Sequence, residues 1–241
     1  MIPLKDTVYR REFPIMTWLI ILVSAAVFYY ELSLPREVLE QVFYSFGVVP
    51  ARYSDHGALS VSQVPLPAYL PLITSLFLHG SWLHIIGNMW FLYIFGGSVE
   101  DRIGHGRYLF FYLLCGIISG LTFVLFDLQA DSPSIGASGA IAGIMGAYFI
   151  LFPTARVLTL IPIIIIPFFV ELPAYFFLGL WFFLQVVSET TSRLSPEISG
   201  GIAWWAHIGG FLTGAFLLLL FRKKRPLRRR EHPDRALHYL K

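Results

Sequence analysis

Six apolar runs, each of a length suited to crossing a bilayer, constrain the fold of this chain more tightly than any other feature. They are Pro14 to Tyr30, Trp82 to Val99, Tyr108 to Phe126, Ser138 to Phe152, Pro173 to Ser188 and Ile202 to Phe221. A hydrocarbon core about 30 Å thick takes about 20 helical residues to cross, and inside it every backbone N–H and C=O must find a partner within the protein. The runs therefore predict helices, and together they predict an all-α polytopic membrane protein with six transmembrane spans. With 56% of residues hydrophobic and 14% charged, neither a disordered chain nor an ordinary soluble domain fits. A further apolar stretch, Val157 to Val170, has only about 14 residues and contains Pro162 and Pro167, which predicts an interfacial or re-entrant segment.

Charge sets the orientation. Lys5, Arg10 and Arg11 precede the first span, Arg102 and Arg107 follow the second, Arg156 follows the fourth, and Arg222 to Arg230 is a basic run after the sixth. Six spans place all of these clusters on one side, and the positive-inside rule makes that side cytoplasmic, together with both termini. Glu31, Glu37, Glu40, Asp55, Asp127, Asp131, Glu189 and Glu197 fall in the opposite loops. The expected organisation is a cytoplasmic N-terminal segment over 1–13, one membrane domain over 14–221 and a basic cytoplasmic tail over 222–241. The tail suits orientation and contact with anionic lipid, and it lacks the aromatic interleaving of a nucleic-acid binder. No cleavable signal peptide is evident, so the first run is expected to stay as a cell-membrane anchor. Cys115 is the sole cysteine, which leaves no disulfide framework and no thiolate metal site. The first outer loop, Ser33 to Ser81, is long and partly apolar, which suits an accessory of short interfacial elements. Nothing in the sequence sets an oligomeric state.

Four polar side chains share one depth in this topology. His84 and Asn88 lie one turn apart on the outer half of the second span, Ser138 opens the fourth, and His207 lies in the second turn of the sixth. Each alone has a plain structural explanation, as interhelical hydrogen-bond glue, a small packing residue or an aromatic-belt neighbour of Trp204 and Trp205. Polar groups at such depth are costly unless they face the bundle or a wet cavity, so one shared site explains all four more economically. Gly139-x-x-x-Gly143 in the fourth span and Gly210-x-x-x-Gly214 in the sixth let backbones approach closely enough to bring Ser138 to His207. The fourth span, at roughly 15 residues and about 22 Å, starts Ser138 below the outer surface.

The residue types point to nucleophilic catalysis. A serine hydroxyl is a weak nucleophile until an imidazole takes its proton, and His207 is the available base. A tetrahedral oxyanion would find donors in the Ser138 backbone N–H at a helix N-terminus, the Asn88 amide and the His84 imidazole. No carboxylate shares that depth, so a Ser-His dyad is expected, with some other group orienting the imidazole. His79 and His105 read as interfacial, and Glu100 with Arg102 as a structural pair or cap.

The motifs resemble those of the rhomboid intramembrane serine proteases in order and spacing. They are His79-Gly-Ser-Trp-Leu-His84-Ile-Ile-Gly-Asn88, Phe95-Gly-Gly-Ser-Val-Glu100, Gly136-Ala-Ser138-Gly139 and Ala206-His207-Ile-Gly-Gly210-Phe-Leu-Thr-Gly214. The resemblance implies the six-helix rhomboid fold, Ser138 as nucleophile, His207 as general base, and His84 and Asn88 at the oxyanion hole. It also implies membrane-anchored protein substrates, cut in or near a transmembrane segment, often at a small residue. It implies no cofactor. Many rhomboids carry a Trp-Arg pair in the first outer loop, whereas the stretch near Leu70 and Pro71 has none, which leaves the anchoring of that loop open. The competing reading is a rhomboid-fold protein that binds transmembrane clients without cutting them. A haem or quinone carrier through His84 and His207 would leave Ser138 and Asn88 without a part, and a transporter would carry ionisable groups through the midplane.

Overall fold

Helices that are apolar on every side settle in lipid, and their few small or polar positions decide which face turns inward. The computed structural model describes residues 1–54, 67, 69–163, 166–194 and 203–221. Three described helices are long and apolar enough to cross a membrane alone: α1 (Ile15–Leu32), α6 (His105–Phe126) and α9 (Trp204–Phe221). They turn Leu22, Leu125 and Leu220 outward and Ser24, Ser119 and Gly210 inward. Between α1 and α6 the chain passes through α2 (Arg36–Phe46), α3 (Pro71–Thr74), α4 (Trp82–Phe91), a π turn (Leu92–Gly96) buried except at Tyr93, and α5 (Gly97–Ile103). Helices α7 (Ser138–Leu151) and α8 (Ala174–Leu194) complete a mostly helical polytopic bundle.

Helix α7 is the axis of the bundle. Gly139 to Tyr148 are buried without a break, although the helix has only 14 residues. Its glycines explain how so short an apolar helix can be so enclosed. A methyl at Gly143 would come within 2.5 Å of Cys115 on α6, and methyls at Gly210 and Gly214 would run into the carbonyls of Gly139 and Gly143. Helices α7 and α9 thus pack backbone on backbone, with dispersion contacts in place of side chains.

The stretch over 157–170, expected to be interfacial or re-entrant, is β-strand in its described residues. It forms most of a hairpin of β2 (Arg156–Ile163) and β3 (Ile166–Pro173), and β2 also pairs antiparallel with β1 (Ile2–Asp6). Hydropathy reads length and apolarity, which a short hairpin shares with a re-entrant loop. Pro162 and Pro167 face each other next to the turn, and a pair lacking both N–H groups fits a position that asks for no bond across the ladder. The residues before α1 are therefore built into the fold. Asp6 accepts from the hydroxyls of Ser98 (2.7 Å) and Tyr148 (3.0 Å), and the Trp90 indole donates to the Pro3 carbonyl (2.6 Å). The basic run over 222–230 lies outside the described residues.

Glu100 caps α1 from another helix. One carboxylate oxygen accepts from the Met16 N–H, and the other from the N–H and hydroxyl of Thr17, all at 2.7–2.8 Å. These are first-turn donors with no partner inside their own helix, and Pro14 offers no side-chain cap. Arg102 is not part of this arrangement; its guanidinium lies 5.6 Å from the centre of the Phe152 ring.

Candidate active site

The loop into α7 is held by the loop that precedes α4. Val48 and Ser134 exchange backbone hydrogen bonds of 3.0 and 2.8 Å, and the Gly136 N–H donates to the Ser75 carbonyl at 2.8 Å. Further back, the Thr74 hydroxyl bonds the Phe46 carbonyl at 2.8 Å, and the Glu31 carboxylate accepts from the His79 N–H. Hydrogen bonds that each use at least one main-chain group therefore anchor the described parts of the first loop, with no Trp-Arg pair required. The described parts of this loop also fix the approach to Ser138.

Gly136 is the tightest point of that approach. Its φ is +117°, a backbone state that side chains rarely adopt. A Cβ there would also meet the His84 Nε2 at 2.5 Å and the Asn88 Nδ2 at 3.4 Å. The missing side chain lets the His84 and Asn88 heads close over the backbone two residues ahead of Ser138. Both come from α4, whose N-terminus is capped by the Ser81 hydroxyl accepting from the His84 N–H at 3.2 Å.

The contact between α7 and α9 delivers the second half of the site. The His207 Nε2 lies 2.8 Å from the Ser138 Oγ. The His207 Nδ1 lies 2.9 Å from the Gln185 Oε1 on α8. The rings of Trp181 and Trp204 flank the imidazole, their centres about 6 Å away. The Ser119 hydroxyl on α6 ties α9 down by bonding the Ala206 carbonyl at 2.7 Å. Ser138, His207, His84 and Asn88 all line one cavity of about 690 Å³, which continues between Phe91, Met145 and Trp181. Helices α4, α7 and α9 thus bring all four polar residues of shared depth to a single space.

The Rhomboid domain family model matches residues 67–224, more than half of the chain. The chain belongs to the rhomboid family. It is 30% identical over 174 residues to the presenilin-associated rhomboid-like protein A, mitochondrial, of Danio rerio, covering 66% of this chain and 40% of that one. Rhomboid-like protein 11, chloroplastic, of Arabidopsis thaliana is 29% identical over 164 residues, with 65% and 54% covered. RHOMBOID-like protein 5 of the same plant is 32% identical over 162 residues, with 63% and 44% covered. The matches thus extend over about half the length of these relatives, and two of the three are named for organelles.

Of the two histidines expected at the interface, His79 departs from that reading. His79 is buried, with its ring centre 5.2 Å from that of His84, so it backs the α4 site residue. Burial, with His84 adding to it, lowers its pKa from 6.5 to about 4 and keeps the ring neutral. His105 bonds the Glu100 carboxylate at 2.5 Å at the opposite end of the bundle from Ser138. Gln185 is the residue that the depth argument passed over. Its signal was present in the sequence, as the one amide in the apolar run of the fifth span. Among the described residues no three His, Cys, Asp or Glu side chains gather as a metal site would need.

Proposed function

We propose that this rhomboid is an intramembrane serine endopeptidase that cuts membrane-anchored proteins in or near their transmembrane segments through a dyad of Ser138 and His207. The observation that carries this reading is the 2.8 Å contact between the Ser138 hydroxyl and the His207 Nε2, made across two helices on the wall of a cavity. A neutral imidazole at that distance takes the hydroxyl proton as the serine oxygen attacks a peptide carbonyl. The resulting imidazolium then hands the proton to the leaving amine, and water repeats the sequence on the acyl-enzyme. The developing oxyanion is received by the Ser138 N–H in the first turn of α7, the Asn88 amide and the His84 ring, with the α7 dipole acting in the same sense. Gly136, Gly139, Gly143, Gly210 and Gly214 act as spacers that permit these distances.

Substrate chemistry follows from position. A polar site at the end of an apolar bundle meets chain segments already held in lipid, so membrane proteins are its natural substrates. The basic clusters put both termini on the cytoplasmic side of the cell membrane and the cavity toward the opposite face. The bilayer and the substrate are the only partners this reading requires, and no nucleic acid enters it. The test is cleavage of a single-span substrate by purified protein in lipid, with Ser138→Ala as control and a fluorophosphonate as probe of Ser138. Cleavage and labelling that vanish together in folded Ser138→Ala protein support the reading. Cleavage that persists in a clean Ser138→Ala preparation overturns it, and a crosslinked client left uncut in every lipid points to a holding role instead.

A further inference from the structure

The imidazole of His207 has two ring nitrogens, and only one of its two neutral tautomers can accept from Ser138. Gln185 decides between them. It is the amide in an otherwise apolar stretch of α8, and it is 7% exposed. A buried amide must find partners for both its ends. The Gln185 Nε2 donates to the Trp181 carbonyl one turn back, at 3.2 Å. A carbonyl has no hydrogen to give, so the NH2 end must face Trp181 and the oxygen must face the other way. On that other side the Oε1 lies 2.9 Å from the His207 Nδ1.

An amide oxygen only accepts, so Nδ1 must carry the hydrogen. The Nε2 of a neutral ring is then a bare lone pair, 2.8 Å from the Ser138 Oγ. Every bond of the series runs in the sense that draws a proton off Ser138. Were the amide reversed, its NH2 would face Nδ1, Nε2 would hold the hydrogen, and the hydroxyl would meet a donor in place of a base. The helix carbonyl of Trp181 is what forbids the reversal.

We propose that Gln185 is the positioning residue of this site: a neutral amide on α8 that holds His207 in its Nδ1–H tautomer for proton transfer from Ser138. This rests on the endopeptidase reading. In soluble serine proteases a carboxylate holds the imidazole. At membrane depth a fixed charge is costly, whereas an amide supplies the same acceptor without one.

The experiment uses the full chain in lipid nanodiscs, with Gln185→Leu and Gln185→Met to remove the acceptor and Gln185→Glu to retain it. Ring 15N shifts of His207, read without substrate, report the tautomer, and steady-state cleavage of a single-span substrate gives kcat and KM. The wild type should show Nδ1–H alone, and the Leu or Met variant a mixture with Nε2–H. With that loss kcat should fall about 10- to 100-fold, reaching at most the lower bound of what a general base contributes. KM should stay within about 2-fold, since Leu or Met at 185 keeps a side chain of similar size on the cavity wall. Gln185→Glu should recover most of the lost kcat. A wild-type ring in the Nε2–H tautomer overturns the proposal without any variant. So does a folded Leu or Met variant whose tautomer and kcat match the wild type, or a folded Gln185→Glu as slow as Gln185→Leu. If wild-type protein cuts nothing, the endopeptidase reading fails, while the 15N spectrum still decides whether Gln185 sets the tautomer.

Discussion

Helix α7 has a polar cluster near each end, and the two clusters differ in how completely they are satisfied. Near its C-terminus both carboxylate oxygens of Asp6 and both of Glu100 are engaged, by Arg10, Ser98, Tyr148, Met16, Thr17 and His105. At its N-terminus the Asn88 Nδ2 is buried without a protein partner among the described residues, and Ser138 faces a cavity. Buried polar groups are nearly always paired. The Tyr108 hydroxyl beside Glu100 is unpaired too but does not line that cavity, whereas the Asn88 donor lies on a cavity wall where the proposed reaction would develop charge. One helix thus joins a locked end to an expectant one.

Substitutions should separate the two ends into rate and stability. Ser138→Ala should lower cleavage by about 10⁴-fold or more with an unchanged melting temperature; a matching loss of stability would erase the contrast. Asn88→Ala should lower kcat by about 10² to 10³-fold, as loss of one oxyanion donor does elsewhere. It should leave the fold as stable as before, because the donor it removes has no partner to lose. At the other end Asp6→Ala should cost about 2–3 kcal/mol of stability by stranding two buried hydroxyls, with kcat unaffected in the protein that remains folded. Tyr148→Phe should cost about 1 kcal/mol and leave the rate alone. A fall in kcat from either would show that α7 transmits strain between its ends.

Acid sharpens the same contrast. Cleavage should decline as pH falls, because a protonated Nε2 cannot accept from Ser138, and activity rising steadily toward acid would contradict the base assignment. His79 should add its own contribution to how stability changes with pH. Its folded pKa, about 4, lies below the unfolded value of 6.5, so the unfolded chain takes up the proton first. The stabilising contribution is whole above 6.5 and shrinks as pH drops toward 4, by at most about 3 kcal/mol. Melting curves across that window on wild type and His79→Phe measure it.

Much of this was legible because lipid leaves so few options. A chain that must satisfy its backbone internally announces its helices by run length, and a hydroxyl or imidazole at depth stands out against apolar neighbours. Ser138, His207, His84 and Asn88 were legible for that reason, and so was the family. Contacts made by backbone between distant segments were not. Val48 with Ser134, and Ile2 with Leu160, join residues whose side chains carry no mark of the pairing. Gln185 had a visible mark, but it lies on a helix whose facing becomes known only once the bundle is assembled. The burial of His79 needed the same knowledge, because the histidine alone does not say which way its loop folds.

The sheet imposes an order on biosynthesis. Strand β1 is made first, yet its partner β2 begins only at Arg156, after α7 has been made. At about 5–20 residues per second, the leading strand waits roughly 8–30 seconds for its partner. Because Asp6 docks on Tyr148 and Ser98, a chain in which α7 fails to pack should show the β1 segment as protease-sensitive.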